Sequence, residues 1–538
     1  MLGAWALFVT AIVSRQSLPA PTRLLVEYLD GSAPIISTRR PRFSFVPHPQ
    51  HDHPGDGMAM SAYQIVVSRT TDGAIVWDSS VVNASSATSV KCGADLDALQ
   101  TYHWTARWWA NDAQKSSPSP TSTAKFVVGP CSEADWKGSR WVGGGLNEFR
   151  ITFNRTTASD TLVFVASPGG SLLYTRNPSS PSSSPWAPVG KDVVGVSPWT
   201  DFRKMVTYRG YIVPQAKTAS SVQQLKLAIG SGFWAPSYQL AGPFWGLPAG
   251  KAPVARVMVL GGVITNIEGR HGVCVSDDPW EGAVMDWGLR DADGWKTPPP
   301  VPDTPGWRPM GSSVALQAPY AATSPDVRFG FPVRAVSVTV LAPSPASPAV
   351  RRVLYKFDRN IVGHAAVRAS AVTTSTEGNL TLRHCEVLNV SLGEENSFCL
   401  ALRHLPDQPD THMFPKGYRA SSPDDLLSPR FTWHGFQYVI VEVTQGVDFE
   451  ANIDSLVARW TASDLEDTAS IEFAGPGAQQ LSQIRDIVKA SQVSNMAAFS
   501  PTDCPTREKH YWMGDAAVTA EEAMYNYFTP GICYASWL

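Results

Sequence analysis

Long apolar runs, basic clusters and cysteines are all scarce in this chain. No stretch reaches the ~18–20 apolar residues that a bilayer-spanning helix needs, so no membrane span is read. Lys and Arg number 44 against 47 Asp and Glu, for a net charge of −3, and nowhere do the cations cluster. Phosphate backbones demand clustered cations, so a nucleic-acid partner is excluded. Charged residues are only 17% while hydrophobic residues reach 43%, which excludes a disordered chain. Seven cysteines between Cys92 and Cys533 are too sparse for a disulfide scaffold, and their odd number leaves at least one unpaired within the chain. Folding energy must come from buried apolar area. His384-Cys385 has no second ligand pair at zinc spacing, so neither a metal nor a cofactor is expected.

What is present is bulk and tryptophan. At 538 residues the chain predicts three or four domains, at roughly 100–200 residues each. Its 19 tryptophans and 43 prolines, with little charge, fit a β-rich protein that handles carbohydrate. Leu2 to Val13 form an apolar run the length of a signal-peptide core, although no basic residue precedes it. Residues 1–20 are accordingly read as a signal peptide and the protein as secreted, the alternative being cytoplasmic. Asn83, Asn154, Asn379 and Asn389 open Asn-X-Ser/Thr sites, which an exported chain could glycosylate.

Hydrophobic periodicity divides the remainder. In residues 21–129, Tyr63, Ile65 and Val67 alternate with polar neighbours, Asp72-Gly73 supplies a turn, and Tyr102, Trp104, Ala106 and Trp108 share one strand face. This reads as a fibronectin type III-like β-sandwich. A second β-rich block, 135–326, carries the Ser/Pro insert Asn177–Pro185 and the aromatic groups Trp199-Thr200-Asp201-Phe202 and Phe233-Trp234. Asp277-Asp278 within it is read as a turn. A third block, 330–462, shows alternation at Val336, Val338 and Val340, continues through Leu380 and Leu382, and places Phe436, Tyr438 and Ile440 on one face. From Ser463 the period lengthens. Leu481, Ile484, Ile487 and Val488 predict a helix over about 476–495, and Ala520, Ala523 and Met524 predict another over about 516–528.

Between these helices lies the chemistry. Asp503, Arg507, Glu508, Trp512 and Asp515 bring carboxylates, a guanidinium and an aromatic ring into one short loop. Glycoside cleavage requires a carboxylic acid to protonate the leaving oxygen and a second carboxylate for water, while Arg and aromatic groups hold the sugar. The same residues admit plainer readings. Asp515 would serve as a helix N-cap, Asp503 would form an Asx turn before Pro505, and Arg507 and Glu508 would be a solvated pair. Cys504 and His510 are too close in sequence for a typical thiol–imidazole pair. His434 is read as part of a sheet or domain interface.

The segment Pro501-Thr502-Asp503-Cys504-Pro505-Thr506-Arg507-Glu508, with Trp512 and Gly514-Asp515, resembles the catalytic signature of the bacterial-type α-L-rhamnosidases, glycoside hydrolase family 78. Further resemblances follow in the family's order: Tyr102–Arg107, Trp199–Asp201, Phe357–Gly363, Leu382–Asn389, Pro429–Val439 and Ser463–Leu465. The resemblance implies a mainly β, multidomain fold, with consecutive β-sandwiches followed by the first helices of an (α/α)6 barrel. Residues 21–129 would be the fibronectin-like module, 135–326 the rhamnosidase N-terminal sandwich, 330–462 a concanavalin-like sandwich, and 463–538 an incomplete catalytic domain. It implies inverting hydrolysis of terminal α-L-rhamnose from a glycoside or polysaccharide. Glu508 would be the general acid, with Asp503, Arg507, Trp512 and Asp515 binding substrate. The family's general base, a glutamate further downstream, has no counterpart among these residues, so the chain by itself is expected to be inactive. The alternatives are a non-catalytic rhamnose-glycan-binding protein and a helical stub that docks on another polypeptide; no oligomer is assigned.

Overall fold

The computed structural model describes residues 18–47, 59–110, 117–157, 160–176, 186–190, 193–195, 206–214, 222–232, 253–272, 274–278, 282–288, 295–297, 320–321, 327–391, 393, 396–400, 409–497, 500–502, 504–506, 509 and 512–528. The apolar run Leu2–Val13, the insert Asn177–Pro185, Trp199–Phe202 and Phe233-Trp234 lie outside the described residues. The described chain is mainly β, with two α-helices, α1 (Ala478–Ser494) and α2 (Met513–Asn526). None of its helices is long and apolar enough to cross a membrane. The chain divides into two compact units, residues 1–131 and 132–538.

In the first unit, period-two patterning builds two sheets. Thr22–Val26, Arg42–Val46 and Val90–Lys91 form one; Ile35–Ile36, Ser122–Val128, Gln100–Ala110, Met60–Arg69 and Ile75–Asp78 form the other. Tyr63, Ile65, Val67, Tyr102, Trp104, Ala106 and Trp108 are all buried, as their alternation predicts. Phe43 packs between Trp104 and Phe126 at ring separations of 4.7 and 5.7 Å.

The second unit starts with a pair of five-stranded sheets. One orders Arg140–Val142, Ala255–Leu260, Thr161–Ala166, Thr207–Val213 and Tyr320–Ala321; the other orders Ala187–Pro188, Ser171–Thr175, Val222–Ile229, Glu148–Arg155 and Gly262–Arg270. Phe149, Ile151, Phe153, Val163, Leu227 and Val257 form the core between them. The next sheet is larger. It runs Cys274–Asp278, Gly282–Asp286, Pro409–Phe414, Gly378–Cys385, His434–Val443, Arg351–Arg368, Leu456–Ser463 and Val327–Arg334. Asp277 and Asp278 therefore lie in a strand, opposite Ala283 and Gly282, where a turn is expected from sequence.

Two patterns in this sheet depart from simple alternation. Val336 and Val340 are 54% and 61% exposed; Val340 lies in Ser337–Leu341, which is off the main strand order and among the described residues pairs with Arg351–Arg368 alone, and Val336 directly precedes it. Phe436, Tyr438 and Ile440 do not share a face. The register shifts so that Lys356 opposes Tyr438 while Ile361 opposes Phe436, leaving residues 357–360 bulged against Gln437. Phe436 thus enters the main core with Val439 and Val441, whereas Tyr438 and Ile440 join Leu341, Leu354 and Cys385. A bulge bends its strand and re-aims side chains. Here it carries Asp358, Arg359 and Asn360 out to the surface.

Cys385 and Cys399 form a disulfide, and Cys92 and Cys504 are free thiols. The sequon asparagines Asn83, Asn154 and Asn379 are exposed. Helix α2 starts three residues before the expected Ala516. Leu481, Ile484, Ile487 and Val488, the apolar stripe of α1, remain 43–65% exposed.

Candidate active site

The connection from α1 to α2 is built by a short hairpin and then fastened to the third sheet system. Met496–Ala497 pairs with Ser500–Pro501, and the Thr502 amide donates to the Asn495 carbonyl at 2.7 Å. The Lys509 amide donates to the Cys504 carbonyl at 3.1 Å, and Pro505 and Thr506 form a turn. Two side chains anchor that turn. The Thr506 hydroxyl donates to Glu386 Oε2 at 3.2 Å, and Asn360 Nδ2, on the bulge, donates to Glu386 Oε1 at 2.9 Å. The Lys509 ammonium donates to the Trp433 carbonyl and stands 5.4 Å from the centre of the Trp433 ring.

Lys509 is fully buried and adopts φ +55°, a left-handed conformation that costs a non-glycine residue energy. Such a residue persists only where its surroundings fix it. Gly435 keeps the contact close, because a Cβ there would come within 2.7 Å of Thr506 Cγ2 and 3.4 Å of Pro505. Three segments quoted from sequence, Phe357–Gly363, Leu382–Asn389 and Pro429–Val439, thus converge beneath one loop.

Thr506 and Lys509 bracket Arg507 and Glu508 in the chain. Asp503, Arg507, Glu508 and His510 themselves lie outside the described residues. Trp512 is half-buried and is the N-cap residue of α2. Asp515 corrects one expectation: it is not the N-cap but lies exposed in the first helical turn. A carboxylate there still complements the helix dipole. Cys504 is half-buried.

Beneath the anchored loop runs a buried polar network absent from the sequence reading except as isolated histidines. His434 Nε2 lies 3.0 Å from Asp410 Oδ1, which also accepts the Ala283 amide at 3.0 Å. His384 stacks on His434 with ring centres 4.2 Å apart and planes 25° apart. Trp287 Nε1 donates to His412 Nδ1 at 2.9 Å. Among the described residues, His384, Asp410 and His434 are the one group whose donor atoms gather within 4.8 Å. A shared metal needs imidazole lone pairs that converge at about 2.0–2.1 Å. Nearly parallel rings send theirs side by side, so this is a hydrogen-bonding network.

Burial sets its electrostatics. It pushes His412 down to about 4 and, outside the hydrogen bonds just described, the buried His364 of the strand Arg351–Arg368 down to about 3, and His434 falls well below its usual range through burial and then the Lys509 charge. An unfolded imidazole takes up its proton near 6.5, whereas folded His364 and His412 resist until much lower pH. Stability is therefore complete above about pH 6.5 and drains away as pH falls towards 4 and then 3, by a few kcal/mol for each group. Urea midpoints across that window should fall steadily, and His364→Phe should flatten the slope. An unchanged midpoint between about pH 7 and pH 4.5 would refute the neutral buried histidines.

Sequence and structural comparisons bear on this geometry. Residues 21–129 match a Rha78A-like, N-terminal immunoglobulin domain. Residues 475–538, which include the anchored loop, match the bacterial alpha-L-rhamnosidase 6 hairpin glycosidase domain. The chain is a relative of the bacterial α-L-rhamnosidases. An alpha-L-rhamnosidase of Formosa agariphila is 23% identical, covering 92% of this chain and 53% of its own length. One of Streptomyces avermitilis is 24% identical over 88% of this chain and 43% of its own. The solved alpha-L-rhamnosidase from Dictyoglumus thermophilum superposes with a TM-score of 0.70 at 21% identity, covering 95% of this chain and 56% of that one. The Streptomyces avermitilis enzyme complexed with L-rhamnose gives 0.67 at 18% identity, with coverages of 96% and 64%. The chain thus spans about half the length of the curated rhamnosidases it matches.

Proposed function

We propose that this chain carries the acid side of an inverting α-L-rhamnosidase site. Glu508 protonates the departing glycosidic oxygen; Asp503, Arg507 and Asp515 bind sugar hydroxyls; Trp512 stacks on the ring. Helices α1 and α2 are the opening elements of an (α/α)6 barrel. The carrying observation is the double anchor that flanks Arg507 and Glu508 within the segment matching the rhamnosidase domain. A general acid must be held rigidly to be useful, and burying Lys509 in a strained conformation purchases that rigidity.

Inversion needs a second carboxylate about 6.5–9.5 Å from the acid to ready a water molecule. None of the carried-over residues has that role, and the apolar stripe of α1 and Val518 of α2 lie exposed. The 538-residue polypeptide should therefore release no rhamnose from an aryl α-L-rhamnoside. Turnover by the purified chain that disappears in Glu508→Gln would overturn the inactivity; turnover that persists in Glu508→Gln would overturn the acid assignment.

A further inference from the structure

The Cys385–Cys399 disulfide sits one residue from the carboxylate that anchors the loop. Cys385 ends the strand Gly378–Cys385, where it opposes Tyr438 in the large sheet. The next residue, Glu386, accepts from Asn360 at 2.9 Å and from Thr506 at 3.2 Å. Beyond it the chain leaves that sheet. Leu388–Asn389 pairs with Phe398–Cys399, and the Leu400 amide donates to the Val387 carbonyl at 3.0 Å. Glu386 therefore bridges a strand of the sheet core and a small two-stranded ladder outside it.

This ladder gains little from packing. Val387, Val390, Phe398 and Leu400 are 43–55% exposed, whereas Leu388 and Cys399 rest on Leu341, Leu354 and Ile440. Arg352 Nη2 donates to the Ser397 carbonyl at 2.6 Å, and the disulfide, closing a span of 14 residues, adds a covalent tie to the sheet. A cross-link removes conformations from the segment it closes, and here that segment begins at Glu386. We propose that the Cys385–Cys399 disulfide positions the loop flanking Glu508 by fixing Glu386, and that a dithiol reductant releases it. The role in catalysis rests on the acid assignment above; the mechanical coupling does not. Cys399 is half-buried and Cys385 is 4% exposed, so an attacking thiolate meets the Cys399 sulfur and expels Cys385. The protein disulfide takes up two electrons and two protons to become two thiols, while the dithiol loses them and closes to its own disulfide.

Hydrogen–deuterium exchange of the full 538-residue chain, with and without dithiothreitol, tests this on the peptide spanning residues 500–512. Reduction should quicken exchange there by about fivefold or more in the unmodified chain, a readout that needs no variant to fold. In Glu386→Ala the same reduction should add less than about twofold, because the group through which the cross-link acts is gone. A merely structural disulfide would instead lower the urea midpoint and quicken exchange in that peptide equally with and without Glu386. The double variant Cys385→Ala/Cys399→Ala should match the reduced chain and ignore the reductant. Unchanged exchange on verified reduction, equal quickening in Glu386→Ala, or a response to dithiothreitol in the double variant would each overturn the proposal. Failure of the acid assignment shows separately, as turnover that survives Glu508→Gln.

Discussion

Gly363→Ala will not yield a folded chain at wild-type stability. Gly363 lies in the long strand Arg351–Arg368, opposite His434 on one side and Trp460 on the other. A Cβ there would fall 1.9 Å from the Arg459 carbonyl oxygen, 2.9 Å from its carbon and 3.1 Å from the Thr461 amide nitrogen. All three are backbone atoms, so no side-chain rotation relieves the overlap. The neighbouring strand must separate, and with it go ladder hydrogen bonds at the centre of the sheet that carries His434 and the loop anchors. The loss should exceed about 4 kcal/mol, read as a collapse of the urea midpoint or as insoluble protein. Gly514→Ala is the matched control. Nothing lies within 4 Å of its Cβ position and it sits in α2, so the change should be neutral or stabilising by up to about 1 kcal/mol. Equal midpoints for Gly363→Ala and the wild type would show that the strands are not packed as described.

Glu148→Leu is the second large effect. The carboxylate is 2% exposed and pairs with three cations, two from the second sheet system and Arg430 from the segment leading into His434–Val443. Burial alone would push its pKa up. The combined charges of Lys226, Arg430 and Arg270 outweigh burial and hold it below the usual carboxylate range. Removing one partner of a buried ion cluster leaves the others uncompensated, at about 3–5 kcal/mol. Here three cations would face one another without their shared counter-charge. A loss below about 1 kcal/mol in chemical denaturation would mean that water already screens the cluster.

How much of this was legible in the sequence depended on the range of the interaction. Tyr102, Trp104, Ala106 and Trp108 gave their shared face away because strand periodicity is local. Leu481, Ile484 and Ile487 correctly signalled a helix, but which side would be covered was not encoded in their spacing. The bulge at residues 357–360 was invisible, since it arises from pairing with a strand some 80 residues later. For the same reason the hairpin Cys274–Asp286 could not be assigned to the sheet containing Pro409–Phe414. Lys509 was the largest omission. A lysine reads as a surface residue, and partners such as the Trp433 carbonyl and ring, supplied from 76 residues upstream, are what make a buried one tolerable. Glu386 and Asn360 stood within quoted motifs, yet nothing local linked either to Thr506.

The central claim is that the third sheet system holds the loop flanking Glu508 in place through Glu386, Thr506 and Lys509. Hydrogen–deuterium exchange of the peptide spanning residues 500–512 tests it without requiring turnover. In Glu386→Ala the loop loses a hydrogen bond to a charged acceptor, worth about 1.5 kcal/mol, so exchange there should quicken by about tenfold while the global urea midpoint barely moves. Unchanged exchange in that peptide would contradict the anchoring, and with it the physical basis for placing an acid on this loop.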